Sequence, residues 1–128
     1  MSGRFLLDTN IVIALFAKEI GVQEKFAEAS ELFVPSIAVG ELCYRATKSV
    51  RCQENLDRIY RFVSIIAVLD CDLETAYLYG RTKNQLRIRG RPLPENDIWI
   101  AALAIQHDLV LVTRDQHFQE IDFLSKVI

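Results

Sequence analysis

Short apolar runs and longer amphipathic stretches alternate along the whole chain. Runs of strand length fall at residues 4–7, 32–34, 65–69 and 109–112, each bounded by polar or turn-forming residues. The stretches between them carry helical spacing. They predict helices over 11–17 and 21–30 with Gly21 as the break, then from a Ser36 cap to about 48, and over 53–63. Asp72 caps a long helix to about 89, stopped by Gly90-Arg91-Pro92. Pro94 opens another helix to about 107, and 116–118 forms a short helical turn. Residues 127–128 read as a last edge strand. Strands separated by helices imply right-handed crossovers and a parallel sheet covered on both faces. The expected fold class is therefore α/β, a three-layer α/β/α sandwich with a short parallel sheet.

Composition narrows this picture. At 128 residues the chain suits a single domain over 1–128, with no repeat, low-complexity segment or linker. An apolar share of 51% can fill a core and a dimer face as well. The formal charge of −2 gives no global attraction for nucleic acid, so such a partner has to be met by a local patch. Three cysteines without a C-x-x-C pair speak against a disulfide scaffold or thiolate zinc site, and fit a reducing cytoplasm. Asp8 and Asn10 interrupt the first apolar run, and 11–17 is far short of the roughly 20 residues of a membrane span. A signal peptide is not expected.

Several chemistries drop out. No G-x-x-x-x-G-K-[ST] or G-x-G-x-x-G loop is present, and Ser36 lacks a G-x-S-x-G setting. His107 and His117 are not spaced as a metal pair, and Trp99 and Phe118 are read as core or interface residues.

What remains is a set of scattered carboxylates. Asp8 closes Phe5-Leu6-Leu7, Glu41 lies in the helix after the second strand, Asp97 opens the helix at Pro94, and Asp115 follows Leu111-Val112-Thr113. A parallel sheet gathers such positions at the carboxyl ends of its strands, where ligands bind. Clustered carboxylates repel unless a cation joins them, and a hard divalent ion suits oxygen ligands. Each acid also has a plain reading. Asp8 and Asp115 can cap the helices that follow, and Asp97 can complement a helix dipole. Glu41 resists that treatment, since Ile37-Ala38-Val39-Gly40-Glu41-Leu42-Cys43 surrounds it with small or apolar neighbours. Asp70 and Asp72 also follow a strand, but Asp72 with Thr75 reads as an ordinary cap. Glu95 lies about 200° around its helix from Asp97. Between Thr75 and Pro94 there is no acid, while Arg81, Lys83, Arg87, Arg89 and Arg91 all fall there. They are either a solvated helix end or a strip contacting RNA phosphates.

The motifs together resemble the PIN-domain family of metal-dependent ribonucleases, and within it the VapC-type toxins of toxin–antitoxin pairs. The matching pieces are Leu7-Asp8-Thr9-Asn10, Ile37-Ala38-Val39-Gly40-Glu41-Leu42, Pro94-Glu95-Asn96-Asp97-Ile98-Trp99-Ile100-Ala101-Ala102 and Leu111-Val112-Thr113-Arg114-Asp115-Gln116-His117-Phe118. Their order and spacing agree over essentially the whole chain. The resemblance implies an acidic pocket of Asp8, Glu41, Asp97 and Asp115 that binds Mg²⁺ or Mn²⁺, with Asn10 and Thr113 orienting the acids. It further implies cleavage of RNA to a 5′-phosphate and a 3′-hydroxyl, a homodimer, and a cognate VapB-like antitoxin that blocks the pocket.

Rival readings make different demands. A haloacid-dehalogenase-type phosphatase needs a second Asp two residues after the first, where Asn10 stands. A receiver domain needs a lysine after its last strands, where Arg114 and Asp115 stand. A PIN-like scaffold that binds RNA or protein without cutting has no need of four acids. An RNA-processing nuclease outside any toxin pair shares the same pocket.

Overall fold

The computed structural model describes residues 3–27, 29–121, 124, 126 and 127. Its elements alternate as the apolar pattern predicts. They are β1 (Arg4–Leu7), α1 (Thr9–Phe16), α2 (Ile20–Ala27), β2 (Glu31–Pro35), α3 (Ser36–Thr47) and α4 (Cys52–Val63). Then come β3 (Ala67–Leu69), α5 (Leu73–Ile88), α6 (Glu95–Gln106), β4 (Val110–Val112), a 3₁₀ turn (Gln116–Glu120) and β5 (Lys126–Val127).

The five strands form one sheet in the order β3-β2-β1-β4-β5, and each neighbouring pair is parallel. Successive strand side chains point to opposite faces, so a short buried strand feeds two cores at once. Leu6 pairs with Leu111 in the register and both enter the core formed with α5 and α6. Leu7 pairs with Val112, and both enter the opposite core, filled from α1 to α4 by Ile11, Val12, Ala38, Leu42 and Ile59. That is the three-layer sandwich. Burial of each such aliphatic side chain contributes about 1.5–3 kcal/mol.

Four local expectations are corrected. Gly21 lies inside α2, and the break before it is made by Lys18 in the left-handed region at φ 58°. Ser36 is the first helical residue of α3 and caps nothing, because Pro35 occupies the cap position without a side-chain bond. β3 starts two residues late, since the N–H of Ile65 is spent closing the end of α4 on Phe62 O, 3.2 Å away. The last strand is Lys126–Val127, and Ile128 lies outside the described residues. Asp72 forms a full capping box with Thr75, as its spacing suggested. Among the described residues no helix is long and apolar enough to cross a membrane.

The strand order has one functional consequence. From β1 the chain steps outward through β2 to β3, then returns to the other side of β1 with β4. The reversal leaves a crevice beyond the carboxyl ends of β1 and β4, the position where open α/β sheets bind ligands.

Candidate active site

Asp8 and Thr113 are the residues that leave β1 and β4 at this crevice. The backbone there is stitched across the strand pair, with Asp8 N donating to Val112 O at 3.1 Å. The side chains repeat the link: Thr113 Oγ1 donates to Asp8 Oδ2 at 2.8 Å. The same hydroxyl accepts from Asp115 N at 3.0 Å, so one buried threonine holds both acid-bearing loops. Asp8 Oδ1 accepts from Thr9 N at 2.8 Å, which makes Asp8 the cap of α1. Its carboxylate nonetheless keeps acceptor capacity, since two oxygens offer about four lone-pair sites.

Thr9 then connects the third acid. Its hydroxyl donates to Glu41 Oε1 at 2.8 Å, fixing a half-buried glutamate on α3 against the start of α1. Gly40 beside it faces open space, because an added Cβ would meet nothing within 4 Å. Asp97 stands in the first turn of α6, where its N–H bonds Pro94 O at 3.1 Å. Asp115 caps the 3₁₀ turn by accepting from His117 N at 2.9 Å, and its Oδ1 also lies 3.1 Å from His117 Nδ1. Asp8, Thr9 and Thr113 are three of the five buried polar residues among those described, a concentration that a core alone does not require.

The electrostatics separate capping from clustering. A carboxylate that merely complemented a helix N-terminus would be held below its ordinary pKa. Asp97 is instead pushed up from 3.8 to about 6, first by burial and then by the charges of Asp8, Asp115 and Glu41, with His117 opposing. Asp8 is also raised, first by burial, against the lowering hydrogen bonds from Thr113 and Thr9, with Glu41 and Asp115 adding to the rise. The four acids therefore share one field. Among the described residues no three His, Cys, Asp or Glu side chains are drawn together tightly enough to ligate one ion.

Not every candidate joins this group. Asn10 is exposed, and no hydrogen bond links it to the acids among the described residues; Thr9, one position earlier, makes that kind of contact. The sequence signal was only a hydroxyl directly after the first Asp. Asp70 and Asp72 lie apart, Asp72 being committed to Thr75 and Gln106. The basic strip is not continuous. Lys83 pairs with Glu95 at 3.0 Å and bonds Tyr79, whereas Arg87 bonds Asn84 at 2.9 Å. Arg89 donates to Glu120 O at 2.8 Å, and Arg91 lies 3.7 Å from the Glu120 carboxylate. Arg81 is exposed and lies about 200° around α5 from Lys83. Arg114, between two site residues, turns away to pair with Glu19 at 2.6 Å.

Comparison with known proteins gives this geometry its context. The family model described as PIN domain matches residues 5–124. Ribonuclease VapC2 of Haemophilus influenzae is 36% identical over 114 residues, covering 88% of this chain and 86% of its own. The tRNA(fMet)-specific endonuclease VapC of Shigella flexneri is 37% identical over 114 residues, with the same coverage of 88% and 86%. A chain in the crystal structure of DNA-bound VapBC from Salmonella typhimurium superposes with a TM-score of 0.90 at 32% identity, covering 99% of this chain and 98% of its own.

Proposed function

The chain belongs to the PIN-domain family, among the VapC-type ribonuclease toxins of VapBC toxin–antitoxin systems, and on that premise we propose that Asp8, Glu41, Asp97 and Asp115 are its catalytic acids and act with Mg²⁺ or Mn²⁺. The observation that carries this reading is the tie of Asp8 and the Asp115 loop to one buried Thr113 at the β1–β4 crevice, with Glu41 held to Thr9 and the Asp97 carboxyl raised by burial and by these acids. Hard oxygen donors in mutual repulsion fit a divalent cation and little else.

Asp8 and Asp97 are the principal ligands in this reading, with Glu41 and Asp115 completing the shell directly or through water. When bound, the ion supplies positive charge to the phosphate and makes hydroxide available near neutral pH. The chain's own residues do the rest. Thr113 and Thr9 hold Asp8 and Glu41 in one orientation, so little reorganisation accompanies metal entry. Burial of Asp8 and partial burial of Asp97 keep competing water away from the crevice. The products are a 5′-phosphate and a 3′-hydroxyl.

The relatives extend the proposal to partners. The Shigella flexneri protein is named for tRNA(fMet), so a tRNA is the first substrate to try. The Salmonella typhimurium structure is a VapBC complex, which supports a VapB-like antitoxin for this chain too. A homodimer has an apolar surface available in exposed Leu73 and Tyr77, one helical turn apart on α5.

The test is cleavage of labelled tRNA by purified protein. Cutting should need Mg²⁺ or Mn²⁺, stop with EDTA, and vanish in Asp8→Ala and Asp97→Ala. Full activity in either variant overturns the assignment.

A further inference from the structure

Beside the acids lies a second recess that the catalytic reading leaves unused. Its volume is about 440 Å³, within the range of small-ligand pockets. One wall is the turn from Gly90 to Leu93, and the other is the 3₁₀ turn with Gln116, His117, Gln119 and Glu120.

The chain builds this recess deliberately on both sides. A 3₁₀ helix repeats every three residues, so side chains three apart eclipse one another. Phe118 is fully buried and pins the turn to the core. Gln116 and Gln119 are thereby stacked along one exposed edge, and His117 and Glu120 along another. The opposite wall folds back because Gly90 adopts a positive φ of 67°, which returns Arg91 N to Leu86 O at 2.9 Å. Glu120 then fastens the walls together, accepting from Arg89 through its carbonyl and facing Arg91 with its carboxylate. His117 belongs to both places: it lines the recess, and its Nδ1 rests 3.1 Å from Asp115 Oδ1.

The chemistry of the lining is that of a base reader. A glutamine amide offers a donor pair and an acceptor side by side, the pattern that matches the edge of a nucleobase. Proteins that read RNA sequence do so on unstacked bases splayed from a single strand. Two stacked amides, one imidazole and one arginine around a recess that opens beside the acids meet that need. Among the described residues neither the Gln116 nor the Gln119 amide is engaged in a hydrogen bond, so both are available to a ligand.

We propose that this recess receives the nucleotide next to the scissile phosphate, with Gln116 and Gln119 reading its base edge and His117 and Arg91 facing its phosphate. The inference rests on the nuclease reading and adds to it the element that selects the cut position. It places specificity in the 3₁₀ turn after β4.

Two measurements on the full chain test it. First, ¹⁵N-labelled protein is titrated with each nucleoside 5′-monophosphate, with and without Mg²⁺. The Gln116 and Gln119 side-chain amides should shift, with one nucleotide bound roughly tenfold more tightly than the weakest. Gln119→Ala should erase that discrimination while Mn²⁺ affinity, read by calorimetry, stays within about twofold. Failure of all four nucleotides to move these amides overturns the proposal, as does discrimination that survives in both Gln119→Ala and Gln116→Ala. Second, cleavage sites are mapped on an RNA library randomised around the cut. A wild type that cuts with a preference unchanged in both variants sinks the recess and leaves the nuclease. A chain that cuts no RNA but still discriminates among the nucleotides supports the recess and sinks the nuclease.

Discussion

Asp97 offers the sharpest consequence of placing four acids in one crevice, because it links the site to stability. Its carboxyl sits at about 6 in the folded chain against an ordinary 3.8. Between those values the folded chain holds a proton that the unfolded chain has lost, so stability falls as pH rises through this window. Two units correspond to roughly 3 kcal/mol, an upper bound because partial exposure screens the charges. Asp97→Asn keeps the shape and removes the charge, but an amide still suffers burial, which is the largest cause of the shift. The expected gain is therefore about 1–2 kcal/mol at pH 7.5 in EDTA, and close to zero at pH 4. Urea unfolding at the two pH values measures it. Saturating Mg²⁺ should reverse the order, since ligand at 100 times its Kd stabilises the wild type by about 2.7 kcal/mol and the variant far less. No gain at pH 7.5, or an equal gain at pH 4, refutes the argument.

Three further outcomes follow from the hydrogen bonds around the acids. Thr113→Val removes the donor to Asp8 and the acceptor for Asp115 N, and should cost about 1–3 kcal/mol in urea unfolding. It should also move the acid limb of the rate–pH profile upward, because that hydrogen bond holds the Asp8 carboxyl down; an unmoved limb contradicts the role. Thr9→Val should weaken Mn²⁺ binding by roughly tenfold, with Thr9→Ser restoring it, whereas Asn10→Ala should leave calorimetric affinity unchanged. Asp72→Ala should lower stability by about 1 kcal/mol through loss of the capping box while cleavage rates hold, and a lost activity would contradict its reading as a cap alone.

The strands and helices were legible because each carries its own period. β1 and β4 are apolar on both faces, as a central parallel strand must be, and α5 announced itself through the Asp72–Thr75 pair. Asp8 and Asp115 were legible through their place after β1 and β4, which the parallel order converts into proximity, and Glu41 and Asp97 through the helical motifs around them. What stayed hidden depends on three-dimensional contact. The resemblance named Thr113, which does reach Asp8, but Thr9 reaches Glu41 across 32 residues, a distance at which no local pattern distinguishes a hydroxyl with a role from one without. The basic residues of 81–91 change their appearance in three dimensions for a related reason. Neighbours in sequence are dispersed around a helix and a turn, and the pairing of Lys83 with Glu95 and of Arg89 and Arg91 with Glu120 shows only when those elements meet. Capping and membership of the acidic cluster are compatible, since Asp8 caps α1 through one oxygen and accepts from Thr113 with the other.

The most direct test of the central claim is a crystal of the chain soaked in Mn²⁺ and measured at the manganese absorption edge. The account predicts an anomalous peak in the crevice beyond β1 and β4, within about 2.0–2.6 Å of Asp8 and Asp97 oxygens. A cleavage-active crystal form with manganese bound only elsewhere, or with none at those carboxylates, would contradict it.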